Sequence, residues 1–438
     1  MLKTLRDAFK IKDIRNRILF TFGMLVVIRF GSQLPTPGVN GSLIQNFFEQ
    51  NGSELFNFFD AFTGGSFSKM SVFALSITPY ITSSIIIQLL TIAIPKLEEM
   101  QKEGEEGRKK LVAITRYVTI ILSLIESIAM AVAFGRQGYL SEYNFVNCAI
   151  IVVTLTAGSA FLMWIGERIT ENGVGNGISI VLLINIVSRM PSDFVTLYQK
   201  FVEPKITAKT YASAGLSALI IIAVVVVTIV FVIILQDGER RIAVQYSKKL
   251  QGRRMVGGQS TYIPVKVNTG GVIPIIFAQS IMEFPVMIAT FMGKGTDSYV
   301  MKMLSSNNWI NPSHMEYSLG LVIYMVLVVF FAYFYTSITF NPMEIADNMK
   351  KSGGFIPGIR PGKPTVDYLS RILKYIIFMG AVGLIIVQLI PYFFNGVFGA
   401  SVSFGGTSLI IVVGVVLETI KQIESQMLVR NYRGFLND

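Results

Sequence analysis

The sequence predicts an all-α membrane protein in which ten transmembrane helices form two inverted five-helix halves. Three observations carry that prediction. Charged residues make up 15% of the 438 positions and apolar ones 52%, against about 25% and 45–50% in soluble domains. So few charges cannot cover a water-soluble globule, and disorder needs the opposite balance. Apolar stretches of crossing length then recur along the whole chain, divided by segments alternately rich in and devoid of Lys and Arg. Finally, short segments of the first half match segments of the second. The single cysteine, Cys148, excludes an intrachain disulfide, and the single histidine, His314, removes the usual metal ligand and general base.

Ile18–Leu34, interrupted only by Arg29, is the first span. No small-residue cleavage site follows before Pro35 and Pro37, so it is read as a retained helix. Met70–Pro95, Tyr117–Gly135 and Tyr143–Gly166 come next. Ile178–Val187 is a short fifth span after the glycine-rich run 173–177. Thr210–Gln236, Val267–Gly293 and Tyr317–Met343 follow. Tyr375–Leu417 is uncharged and too long for one crossing; Pro391, Asn395 and Gly405-Gly406 are expected to split it into two helices. Glu126 and Glu283 lie inside spans, where a carboxylate costs on the order of 3 kcal/mol. Each faces water, lies near a helix end or is protonated.

Lys and Arg concentrate before the first span and after the second, sixth and eighth. Segments 32–67, 137–162 and 375–417 hold none. The bias places both termini in the cytoplasm.

Aligned on Pro79 and Pro274, Ile81 matches Ile276; aligned on Gly177 and Gly406, Leu182 matches Ile411. Gly/Pro-interrupted segments at corresponding places in two halves point to a central pathway, although Pro and Gly are also simply common in membrane helices. The matched side chains are aliphatic and bind no ion. They suit a dry constriction that gates by dewetting. The stretch Leu55–Lys69, rich in Phe and Gly, fits either a re-entrant half-helix or an interfacial aromatic belt.

The segments 77–90 (ITPYITSSIIIQLL), 163–180 (MWIGERITENGVGNGISI), 252–267 (GRRMVGGQSTYIPVKV), 340–362 (FNPMEIADNMKKSGGFIPGIRPG) and 404–409 (FGGTSL) resemble the SecY family. Its members are channel subunits of the bacterial Sec protein translocon. The resemblance implies a protein-conducting channel in the bacterial plasma membrane, with halves 1–195 and 213–438 hinged by an external linker, 196–212. It puts a hydrophobic pore ring on Ile77, Ile81, Ile178, Leu182, Ile276 and Ile411. A plug falls on 55–69, with Phe56, Phe58, Phe59, Phe62, Gly64 and Gly65. A lateral gate pairs Thr82, Ser84 and Gln88 with Gln279, Ser280 and Phe284. Arg253, Arg254 and Arg360, on the loops 237–266 and 344–374, match arginines that engage the motor ATPase SecA and the ribosome. Implied partners are also the small membrane subunits SecE and SecG, signal sequences, nascent secretory chains and the lipid bilayer.

An enzyme is not expected, nor a cofactor or a metal: the chain has no Walker A run and no His-Glu-x-x-His. The remaining rival is a secondary transporter with inverted repeats, which would need ion or substrate ligands where Pro79, Pro274 and the glycine runs offer mainly Thr and Ser.

Overall fold

The computed structural model describes residues 2–41, 43–44, 60, 62–204, 211–246, 249–251, 254–256, 260–291, 298–305, 308–310, 314–398 and 406–434. A short amphipathic helix, α1 (Leu2–Lys10), precedes α2 (Lys12–Gly31). Then come α3 (Thr78–Ala93), α4 (Pro95–Lys102), α5 (Glu105–Arg136), α6 (Phe145–Asn172) and α7 (Gly177–Phe201). The second half opens with α8 (Tyr211–Asp237), followed by strands β1 (Glu239–Tyr246), β2 (Lys249–Gln251), β3 (Arg254–Val256) and β4 (Ser260–Lys266). It continues through α9 (Ile273–Phe291), α10 (Tyr299–Leu304), α11 (Leu319–Thr339), α12 (Pro342–Lys351), β5 (Gly354–Phe355), α13 (Lys363–Phe398) and α14 (Thr407–Gly434).

Ten of these helices, α2, α3, α5, α6, α7, α8, α9, α11, α13 and α14, correspond in order to the ten expected spans. By length and hydropathy alone, six described helices suit a bilayer, or seven with the bent pair α3–α4. The others fall short for visible reasons. Arg15, Arg17 and Arg29 dilute α2, Glu418, Lys421 and Glu424 dilute α14, and the apolar part of α9 is short, Ile273–Met282.

Packing repeats between the halves. α3 lies on α5, α5 on α6, and α2 on both α6 and α7; in the same order α9 lies on α11, α11 on α13, and α8 on both α13 and α14. The halves meet where α7 packs against α8 and α14. At one end of the bundle, Ala8 of α1 is buried with Ile14, Val174 and Ile423, so the first helix also rests on the last. α6 and α7 approach closely through glycines: a Cβ on Gly177 would sit 1.8 Å from the Gly166 carbonyl oxygen.

Several boundaries differ from the sequence reading. Residues 70–77 are a run of turns rather than the start of a helix, with Met70 and Ser76 at φ 45° and 52°. α3 begins only at Thr78, where Pro79 presets the first turn. At Ile94 the backbone is extended, and α3 and α4 meet at 100°. α7 runs far beyond Val187, to Phe201, so the linker expected over 196–212 begins as helix. Its second half is polar, which ends an apolar stretch but not a helix. Pro391 and Asn395 do not break α13, which continues to Phe398; one missing N–H is tolerated within a packed bundle. Gly406 stands at φ 52° immediately ahead of α14, while Gly405 lies outside the described residues.

The described residues of the two basic loops form strands and a short helix. β1 pairs antiparallel with β4 and with β5 in one sheet, β4-β1-β5, while β2–β3 form a separate hairpin. Ile242, Val244 and Val265 of the sheet pack against Met349 of α12 and Leu369 and Leu373 of α13.

Candidate functional site

The apolar cluster at the junction of the halves is built from α2, α3, α6, α7 and α14. Pro79 starts α3 immediately after Ile77, and the Asn176 carboxamide caps α7 by accepting from the N–H groups of Ile178 and Ser179 at 3.1 and 3.4 Å. These two local signals fix where the aliphatic positions of α3 and α7 begin. Ile77 is 0% exposed and Ile411 5%; Ile81, Ile178 and Leu182 are half-buried in the same cluster. Five of the six positions expected to form a ring are thus brought together. Ile276 is half-buried but not in that cluster. From the start of α9 it is Val272, one turn earlier, that packs there, and it also touches the core of the second half. Adjacent residues of α14 divide between the halves: Ile410 enters the second-half core, Ile411 the junction.

Phe62, 6% exposed, belongs to the same cluster. The chain soon after it, 64–70, is a compact series of turns with Gly64 and Gly65 at φ 67° and 82°. Phe56, Phe58 and Phe59 lie outside the described residues.

Thr82 and Gln88 are exposed on α3 and Ser84 is half-buried. The Thr82 hydroxyl donates to the Thr78 carbonyl at 3.1 Å. On α9, Gln279 is buried and Ser280 exposed, whereas the Phe284 and Glu283 side chains lie outside the described set. Glu126 is half-buried on α5.

Arg360 is exposed in the turn between β5 and α13, and its carbonyl accepts from the Thr365 hydroxyl at 3.0 Å. Arg253 lies outside the described residues; Arg254 opens β3, its side chain also outside. Nearby on β1, Glu239 accepts from Arg241 at 2.7 Å and, chiefly through that hydrogen bond, holds the guanidinium above its ordinary pKa. Arg241 also stands 4.9 Å over the Tyr262 ring.

One set of polar residues escaped the sequence reading. Asp60 pairs with Arg189, the Asn185 amide donates to the Phe62 carbonyl at 3.1 Å, and Arg29 donates to the Gly64 carbonyl at 3.2 Å. Two signals were available: an arginine alone in an apolar span, and Asn185 and Arg189 continuing the spacing of Ile178 and Leu182.

Two inverted helix bundles that enclose an aliphatic junction define a multi-pass membrane protein of channel architecture. The SecY family model matches residues 71–420. The Bacillus subtilis protein translocase subunit SecY is 44% identical over the whole of both chains. That of Streptomyces scabiei is 42% identical, again over the whole of both. The solved structure of a protein-conducting channel superposes with a TM-score of 0.65 at 17% identity, covering 94% of this chain and 93% of that one. Sec61 in the canine ribosome–channel complex from the endoplasmic reticulum gives 0.63 at 16%, covering 94% and 93%. The chain belongs to the SecY family.

Proposed function

We propose that this chain is the protein-conducting channel of a translocase, passing unfolded secretory proteins across the bacterial plasma membrane and releasing apolar segments sideways into lipid. One observation carries the mechanism: aliphatic residues from α3, α7 and α14 converge in a single cluster with Phe62. A narrow ring of such side chains gives ions no substitute for hydration, so it excludes them by dewetting. Branched side chains also pack around a threading polypeptide without hydrogen bonds that would retain particular residues. Transit is therefore promiscuous and the resting barrier is tight.

In this reading Ile77, Ile81, Ile178, Leu182, Ile276 and Ile411 form the ring and 55–69 the plug. α3 and α9 bound the lateral gate, where Thr82, Ser84, Gln88, Gln279, Ser280 and Phe284 meet a signal sequence. Units 1–195 and 213–438 move about the connection between α7 and α8, and both termini face the cytoplasm. Arg253, Arg254 and Arg360 offer guanidinium forks to the motor ATPase SecA, or to the phosphates of ribosomal RNA. SecE and SecG complete the membrane complex. The role is non-enzymatic, with the energy supplied by partners. The transporter reading is not favoured, since the relatives of this chain are translocase subunits.

A photocrosslinker at Leu182 in the assembled complex tests the pathway. It should capture a secretory chain arrested in transit; capture only from lipid-facing control positions such as Val227 would overturn the reading.

A further inference from the structure

One face of α7 carries two kinds of side chain. Ile178 and Leu182 belong to the apolar cluster, and Asn185 and Arg189 follow them at helical spacing along the same stripe. The polar pair grips the end of the plug segment. Asn185 Nδ2 donates to the Phe62 carbonyl at 3.1 Å and to Ser76 Oγ at 3.0 Å. Arg189 pairs with Asp60, whose Oδ1 also accepts the Ser68 N–H at 2.8 Å. From α2, Arg29 donates to the Gly64 carbonyl at 3.2 Å. Gly64 is seated so closely that a Cβ would come within 2.8 Å of Arg29 Nη1 and 2.9 Å of both Asn185 Cα and Ser188 Oγ. Its φ of 67° independently favours glycine.

We infer that Asp60, Arg189, Asn185 and Arg29 form a latch that holds the plug shut, and that α7 ties this latch to the ring. The inference rests on reading the ring and plug as the channel's barrier. A polypeptide that spreads the ring displaces Ile178 and Leu182, and with them the helix that carries Asn185 and Arg189. Hydrogen bonds near 3 Å fail once their partners separate by an ångström or so. Losing one member of a buried ion pair ordinarily leaves an uncompensated charge. Here Asp193, buried one turn further along α7, also acts electrostatically on Arg189. It remains as counter-ion when Asp60 departs. The latch therefore has two acceptable states, which is what a switch requires.

The test uses the assembled complex in planar bilayers without substrate. D60N and R189Q should each raise the resting open probability roughly tenfold, within the usual range of coupling between sites. The double variant D60N/R189Q should open no more often than the more active single variant, because both remove one contact. N185L, which carries no charge change, should act in the same direction. Parental closure in all three single variants, or multiplying effects in the double variant, would overturn the latch. Removal of segment 55–69 separates the two readings: if the resting conductance is then unchanged, it is the plug that fails. To test the link to the ring, D60C/R189C in a Cys148→Ser background should be bridged in the idle complex by a short bifunctional thiol crosslinker, whose spacer replaces the reach of the arginine. Its yield should fall when an arrested secretory chain occupies the pore; an unchanged yield would overturn the coupling.

Discussion

Ile77 and Ile411 lie in different halves of the chain and are buried in one apolar cluster, at 0% and 5% exposure. The start of α3 and the start of α14 thus enter one apolar cluster at the junction of the bundles. Aliphatic packing of this kind excludes water, which is the physical basis of the proposed seal.

Replacing Ile81 and Ile411 together with Ser should raise the resting ion conductance in planar bilayers, because hydroxyls let water persist where the aliphatic ring expels it. Ile276→Ser should have the smaller effect, since Ile276 stands outside the cluster. An equal effect would show that this one residue of α9 contributes as much to the barrier as Ile81 and Ile411 together.

Gln279→Leu removes a buried amide from the proposed gate, and Gln88→Leu an exposed one. Interhelical hydrogen bonds in membranes average about 0.6 kcal/mol, somewhat less than the ~0.8 kcal/mol of one buried methylene. The hydrophobicity that a signal needs should therefore shift by roughly one methylene, as measured with a graded series of signal sequences. An unmoved threshold would count against the gate assignment.

Arg360→Glu should impair export while leaving membrane insertion and assembly of the channel intact. The exposed side chain makes this an electrostatic docking effect, so the defect should shrink as ionic strength rises. Translocation into vesicles at graded salt measures it.

Gly177→Val should destabilise the folded channel by about 1–3 kcal/mol, through overpacking against the Gly166 carbonyl. Thermal unfolding in detergent reads the loss. Gly215→Ala, where an added Cβ meets nothing within 4 Å, is the control that should change little.

The crossing helices were legible because hydropathy and the Lys/Arg bias are local properties of the chain. Ile81, Leu182 and Ile411 stood out because Pro79 and the two glycine runs mark matching helix starts in the two halves, whereas Ile77 and Ile178 came only with the family resemblance; that they form a ring is the proposal. What local patterning could not show was pairing at a distance. Asp60 gains its meaning only from Arg189, and Arg29 only from the Gly64 carbonyl. Helix ends were misplaced for a related reason. Hydropathy reports where an apolar run stops, whereas α7 continues through the polar residues after Val187, and α13 passes through Pro391 because its neighbours hold it.

The placement of α1 against α14 has a mechanical corollary. A clamshell whose valves are joined at one edge ordinarily has free rims, but here α1 of one half is moored to α14 of the other. In the proposed opening about the connection between α7 and α8, that mooring must slide or travel with the halves as they part.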